Sequence, residues 1–251
     1  MRRLSLYSLL IAASLAAAEL KPEFPRPETT LHFSKQACRQ KADQPLFCLR
    51  TALTLPDLSD PTLSVVAQRL TPVFAQMVRT FDRSDSRENF QLLLESKGIL
   101  PAGEWFSDTT VEIFSLLPGT VTLSLRERGY SGGAHGFDQV AFVNLDRKSG
   151  QKLSLDEILL PGKRDEFLKI AERLYRGRHG LGPKDSMQKA GWLRKDFVLG
   201  REFALTRRGI LLYYNSYEIK PYAAGHTWMT VPYRAIRHLL RPQYYLSKEK
   251  K

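Results

Sequence analysis

TVTLSLRERGYSGGAHGFDQVAFVNL, residues 120–145, decides the fold class. Thr120 to Leu125 alternates polar and apolar residues, as a half-buried strand does. Gln139 to Leu145 reads as a second strand. Between them, Arg128 to Gly136 holds four glycines in nine residues. Glycine reaches backbone conformations closed to other residues and lets a second backbone or a ligand come close. Within this loop Tyr130, Ser131 and His135 are the side chains able to do chemistry or recognition. Asp108 to Leu117 reads as a preceding strand and Leu117-Pro-Gly-Thr120 as a turn, so the region is a β-meander.

The flanking segments carry equally local signals. Leu46 to Leu55 ends in polar–apolar alternation and reads as a strand. Asp60 is placed to cap a helix with Pro61 in its first position. Leu63, Val66, Leu70, Phe74, Met77 and Val78 step by threes and fours, which predicts a helix to about Phe81. Pro72 is expected to kink or divide it. A second helix is predicted from Ser84 or Ser86 to about Gly98, with Phe90, Leu93 and Leu94 inward. Downstream, Asn144 to Gly150 is a tight turn and Ser154-Leu-Asp-Glu157 a capping box. Arg164 to Arg178 reads as a basic amphipathic helix with Phe167, Ile170, Ala171 and Leu174 on one side. Asp185 to Leu193 reads as a short helix. Phe203–Leu205 and Gly209–Tyr214 form a hairpin, Thr227 to Val231 a last strand, and Pro232 opens a final helix through Leu240. Strands and helices do not alternate one for one. The class is therefore α+β, with mostly antiparallel sheets, helices packed on one face, and two intimately associated subdomains. A composition break near Ser149 to Leu153 divides residues 19–149 from 150–245.

Residues 1–18 have the pattern of a cleaved signal peptide: Arg2 and Arg3, the apolar run Leu4 to Leu15, then Ala16-Ala17-Ala18. The run is short for a stable transmembrane anchor. These features predict a periplasmic or secreted protein. Cys38 and Cys48 are the only cysteines, and an oxidising compartment favours a disulfide between them. The formal charge is +12 and the pI about 9.8. There is no basic helix with interleaved aromatics, so no nucleic acid is expected; anionic envelope polymers suit the charge better.

Gly129-Tyr-Ser-Gly-Gly133 fits the nucleophile-elbow pattern, which needs a strand before it and a helix after it. A strand follows here. A hydrolase using Ser131, His135 and His226 is the enzymatic alternative, and no catalytic residue is assigned. The five histidines show no metal-ligand spacing, so neither metal nor cofactor is expected. A second unusual segment, Tyr213 to Gly225, places four tyrosines around Glu218 and Lys220. Such rings suit recognition surfaces, or they close the core with each hydroxyl paired.

Tyr130-Ser-Gly-Gly-Ala-His-Gly136, the segment Asn144 to Ile158, and Tyr217-Glu-Ile-Lys-Pro-Tyr-Ala-Ala-Gly225 resemble the RsiV-like C-terminal domain family (DUF3298). Leu53 to Asp60 and the following helix look like its PdaC/RsiV-type N-terminal companion (DUF4163). The resemblance implies an α+β unit, non-catalytic in itself, which in the anti-sigma factors of that family binds lysozyme. Neither the cytoplasmic anti-sigma segment of those sensors nor the deacetylase domain found beside the companion is read in this sequence, so neither activity is expected. The expected function is that of an exported envelope binding protein whose ligand is a lysozyme-like protein or a peptidoglycan fragment. A structural envelope protein is the other non-enzymatic alternative. Tyr130, His135, Tyr217, Tyr222 and His226 are the candidate ligand-binding residues; Gly132, Gly133, Gly136 and Gly225 are expected to shape the loops.

Overall fold

The structure is a computed structural model that describes residues 30–39, 46–83 and 103–244. The leader, the helix predicted between Ser84 and Gly98, and the chain beyond Tyr244 lie outside the described residues.

The meander is present. β3 (Gly103–Leu116), β4 (Thr120–Tyr130) and β5 (Phe137–Asp146) pair antiparallel in sequence order. β2 (Phe47–Pro56) joins β3 in parallel, and β1 (Thr30–Arg39) pairs antiparallel with β2. The sheet order is β1-β2-β3-β4-β5. β1 is an addition to the sequence reading. Cys38 and Cys48 stand opposite each other in the β1–β2 register and are joined by a disulfide with an S–S distance of 2.07 Å.

A parallel pair needs a crossover, and α1 (Ser64–Arg83) lies in it. Asp60 accepts from the Thr62 amide at 2.8 Å and Pro61 opens the leading turn, as the sequence predicts. Pro72 does not divide the helix, which continues as one element to Arg83. Pro72 and Gln68 are both exposed, so water can satisfy the Gln68 carbonyl that the proline leaves unbonded. Meanwhile Val66, Leu70, Phe74 and Met77 pack on the sheet from both sides of the proline.

β6 (Glu202–Leu205), β7 (Gly209–Tyr214) and β8 (Thr227–Pro232) form a second, antiparallel sheet. α2 (Leu155–Ile158) begins with both arms of the Ser154–Glu157 capping box. α3 (Arg164–Arg178) buries Phe167, Ala171 and Tyr175 against the second sheet. The final helix is shorter than predicted: α4 covers Tyr233–Ile236 and a 3-10 turn follows over Arg237–Leu239. The helix expected over Asp185–Leu193 is a single 3-10 turn, Met187–Ala190.

Period-two alternation explains the packing. Leu123, Leu145 and Val111 face α1. Val140 and Phe142 point the other way and meet Ala204, Leu211 and Tyr213 of the second sheet. Ile210, Leu212 and Tyr214, from the opposite face of β7, join the α3 core.

Two asparagine amides stitch the sheets together where a backbone ladder would otherwise be needed. Asn144, buried on β5, accepts from the Leu205 amide and donates to the Phe203 carbonyl, each at 2.9 Å. The Thr122 hydroxyl also donates to it, at 2.7 Å. Asn215 returns the arrangement. It accepts from the Val140 amide at 2.8 Å and donates to the Val140 carbonyl at 2.9 Å. The Phe142 amide donates to Glu202 at 2.7 Å. A primary amide presents a donor and an acceptor side by side, as a strand edge does, so each asparagine substitutes for a strand residue. The exposed edge of β5 is thereby capped.

Candidate functional site

The glycine loop and the tyrosine segment meet. Their junction is the Gly136 carbonyl, which accepts from the Tyr222 hydroxyl and from His135 Nδ1, both at 2.9 Å. A carbonyl only accepts, so Nδ1 carries the proton and Nε2 is the acceptor of the neutral ring. The His135 and Tyr222 rings stack with centroids 3.8 Å apart and planes 17° apart. Tyr217 adds a third ring, 5.5 Å from Tyr222. Tyr130 closes the loop from below by donating to the Gly133 carbonyl at 3.0 Å.

Local geometry requires glycine here. Gly132 has φ +86°, and a Cβ would stand 2.9 Å from the Trp105 ring. At Gly136 a Cβ would come within 2.5 Å of the Gly129 carbonyl. Gly133 and Gly225 also have positive φ, at +98° and +66°. Tyr217 is the single non-glycine residue with positive φ among the described residues, at 69°. The residue is 59% exposed. A turn holds it there: the Glu218 amide donates to the Asn215 carbonyl at 3.0 Å, and the Glu218 carboxylate accepts from the Asn215 amide at 3.0 Å. An aromatic residue in this region costs about 1–2 kcal/mol.

His226 does not join the ring stack. Its Nε2 lies 3.7 Å from Asp138, and its ring lies 5.4 Å from that of Tyr213. Asp138 is also bound bidentately by Arg126, at 2.9 and 2.5 Å. Burial pulls the Asp138 carboxyl up, but Arg126 and His226 outweigh it and hold the group below its ordinary value. Burial of Tyr213 beside Asp138 pushes its phenol up, so it stays protonated. The five candidate residues therefore divide into the ring stack of His135, Tyr217 and Tyr222, the brace at Tyr130, and His226 in a half-buried charged cluster.

Ser131 is exposed and leads through the loop into β5, so the helix of a nucleophile elbow is not there. Among the described residues, no group of three or more His, Cys, Asp or Glu side chains is placed to hold a metal ion. No described helix is long and apolar enough to cross a membrane.

One feature escaped the sequence reading. A cleft of about 690 Å³ opens beside Tyr217, between the free end of the β4–β5 hairpin and segments 194–202 and 215–218. Glu127 and Gln139, paired across the hairpin, line one side; Arg194, Arg201, Glu202 and Glu218 line the other. Burial pushes the Glu202 carboxyl up; the Phe142 amide opposes this, and Glu218 adds to the rise. The chain from Trp192 to Arg201 has no strand or helix period, so nothing local marks its arginines as cleft residues.

Residues 156–234 match the family described as "Protein of unknown function (DUF3298)". No curated protein matches the chain. Two solved structures share the fold. A DUF3298 family protein from Pseudomonas aeruginosa PAO1 superposes with a TM-score of 0.60 at 21% identity, covering 90% of this chain and 100% of that one. A member of the same family from Bacteroides fragilis NCTC 9343 gives 0.57 at 18% identity, covering 85% and 94%. Identity at this level speaks for the fold alone. With the family match, it establishes that residues 156–234 are a DUF3298 domain, carried in a chain that shares the fold of DUF3298 family proteins.

Proposed function

We propose that this is an exported, non-catalytic binding protein of the cell envelope, and that it recognises peptidoglycan through the Tyr217–Tyr222–His135 stack. The observation that carries this reading is the assembly of that stack. Two loops whose contacting residues lie 86 positions apart are tied at one carbonyl, and the outermost ring is held exposed at a disfavoured backbone angle. Strain kept at an exposed aromatic residue is characteristic of recognition sites. Flat, weakly polar rings suit the apolar faces of pyranose sugars, and their hydroxyl tips tolerate water.

The hydrolase alternative requires Ser131, His135 and His226 in one hydrogen-bonded set. Against it, His135 is tied to the Gly136 carbonyl, and among the described residues Ser131 hydrogen-bonds neither histidine. Export is supported by the leader pattern and by the Cys38–Cys48 disulfide. The formal charge of +12 favours an anionic wall over the basic lysozyme that the family resemblance implies.

Retention on purified peptidoglycan at low and high salt tests the reading. We expect retention to persist at high salt and to fall about tenfold in Y217A/Y222A, as loss of a ring contact worth about 1–1.5 kcal/mol requires. Retention at low salt alone would reduce the interaction to charge. Inhibition of lysozyme by the protein, without glycan retention, would move the ligand from the wall to the enzyme.

A further inference from the structure

We propose that the cleft beside Tyr217 binds a saccharide bearing a carboxylate, with the Arg194 and Arg201 guanidinium groups receiving the carboxylate. The proposal rests on the wall-binding reading and names the chemistry its ligand must present.

The cleft has the size of a small-ligand site, roughly 300–1,000 Å³. Both of its arginines are at the exposed rim, with Glu127 of the hairpin wall also exposed, and its other two carboxylates lie deeper. Arg194 and Arg201 are exposed, and among the described residues neither guanidinium donates a hydrogen bond or closes a salt bridge. Their planar forks match a carboxylate. Glu202 and Glu218 are half-buried and already oriented by backbone amides: Glu202 by Phe142, Glu218 by Asn215 and Arg201. Carboxylates held this way accept further hydrogen bonds from hydroxyl or amide groups. They would repel a compact polyanion such as phosphate lodged between the walls. The cleft thus asks for donors at its inner side, one anionic group at its outer side, and an apolar face against Tyr217. A hydroxyl-rich sugar with an acidic substituent meets all three conditions. A simple anion or an apolar ligand meets only one.

The test is calorimetric titration of the full protein with the disaccharide N-acetylglucosaminyl-N-acetylmuramic acid and with its lactyl methyl ester, which differs only by the charge. We expect the free acid to bind about tenfold tighter or more. R194Q/R201Q should remove that preference while leaving the thermal melt unchanged, because both side chains are exposed. Equal binding of acid and ester, a preference that survives R194Q/R201Q, or binding of neither overturns the cleft assignment. Retention on intact peptidoglycan separates the two levels. If retention persists while the disaccharide shows no arginine-dependent preference, the cleft falls and the wall-binding reading stands; if retention is absent, that reading falls too.

Discussion

The seam between the sheets and the ring stack at the loop ends solve opposite problems with similar chemistry. At the seam, Asn144 is 1% exposed and every polar atom of its side chain is bonded to a fixed partner. At the stack, His135 and Tyr222 bond to one carbonyl and leave ring faces outside, and Tyr217 is 59% exposed. The first arrangement makes the relative position of the sheets unique, since a half-satisfied buried amide costs more than an apolar contact gains. The second uses that fixed geometry to hold aromatic surface in water. Asn215 belongs to both, since its amide caps β5 and its turn holds Tyr217.

The comparison can be broken by mutation, beginning with the largest effect. Asn144→Ala leaves the Leu205 amide and Phe203 carbonyl without their partner, and urea unfolding should show a loss of about 3 kcal/mol. Asn215→Ala removes a less buried pair and should cost about 1–2 kcal/mol, while also lowering peptidoglycan retention. If the two losses are equal, burial does not distinguish the seam from the loop.

Asp138 lies between the two regions and gives a pH test. Its folded-state pKa is depressed from an ordinary value of 3.8, so its stabilisation is present above that value and is lost as pH falls through the folded pKa. Its side chain is 29% exposed, which leaves about 1 kcal/mol after solvent screening. Wild type should exceed Asp138→Asn by that amount at neutral pH, and the difference should shrink as pH falls below 3.8. A constant difference across this range would show that shape, not charge, sets the contribution. The smallest effect is expected at Tyr217. Tyr217→Gly relieves the positive φ and should leave stability unchanged or raise it by about 0.5 kcal/mol, while retention on peptidoglycan falls. A stability loss above about 1 kcal/mol would make the ring part of the core packing.

Where a signal was local, sequence and structure agree closely. The meander, the Asp60–Pro61 start of α1, the capping box of α2, the bounds of α3 and the β6–β7 hairpin all follow from spacings of two, three or four residues. Pro72 shows the limit of such rules. Its helix-breaking tendency is overridden because the apolar stripe continues past it and the freed carbonyl faces water. Of the candidate residues, His135, Tyr217 and Tyr222 come together, Tyr130 braces their loop, and His226 turns away to Asp138. Arg194, Arg201 and Glu202 could not have been singled out, because their cleft wall faces a hairpin more than fifty residues earlier in the chain.

The sequence alone determined β2 to β8, α1 to α3 and the turns between the paired strands, and that the two cysteines suit one another. Those choices depend on backbone preference and on side-chain period within a few residues. Tertiary structure alone decided the parallel β2–β3 pairing, the two asparagine stitches, the left-handed backbone of Tyr217 and the cleft beside it. Each of these joins groups brought together by the fold, or takes its stability from such a junction. A local pattern cannot encode them, because an amide reads the same in sequence whether its partner is water or a strand edge sixty residues away.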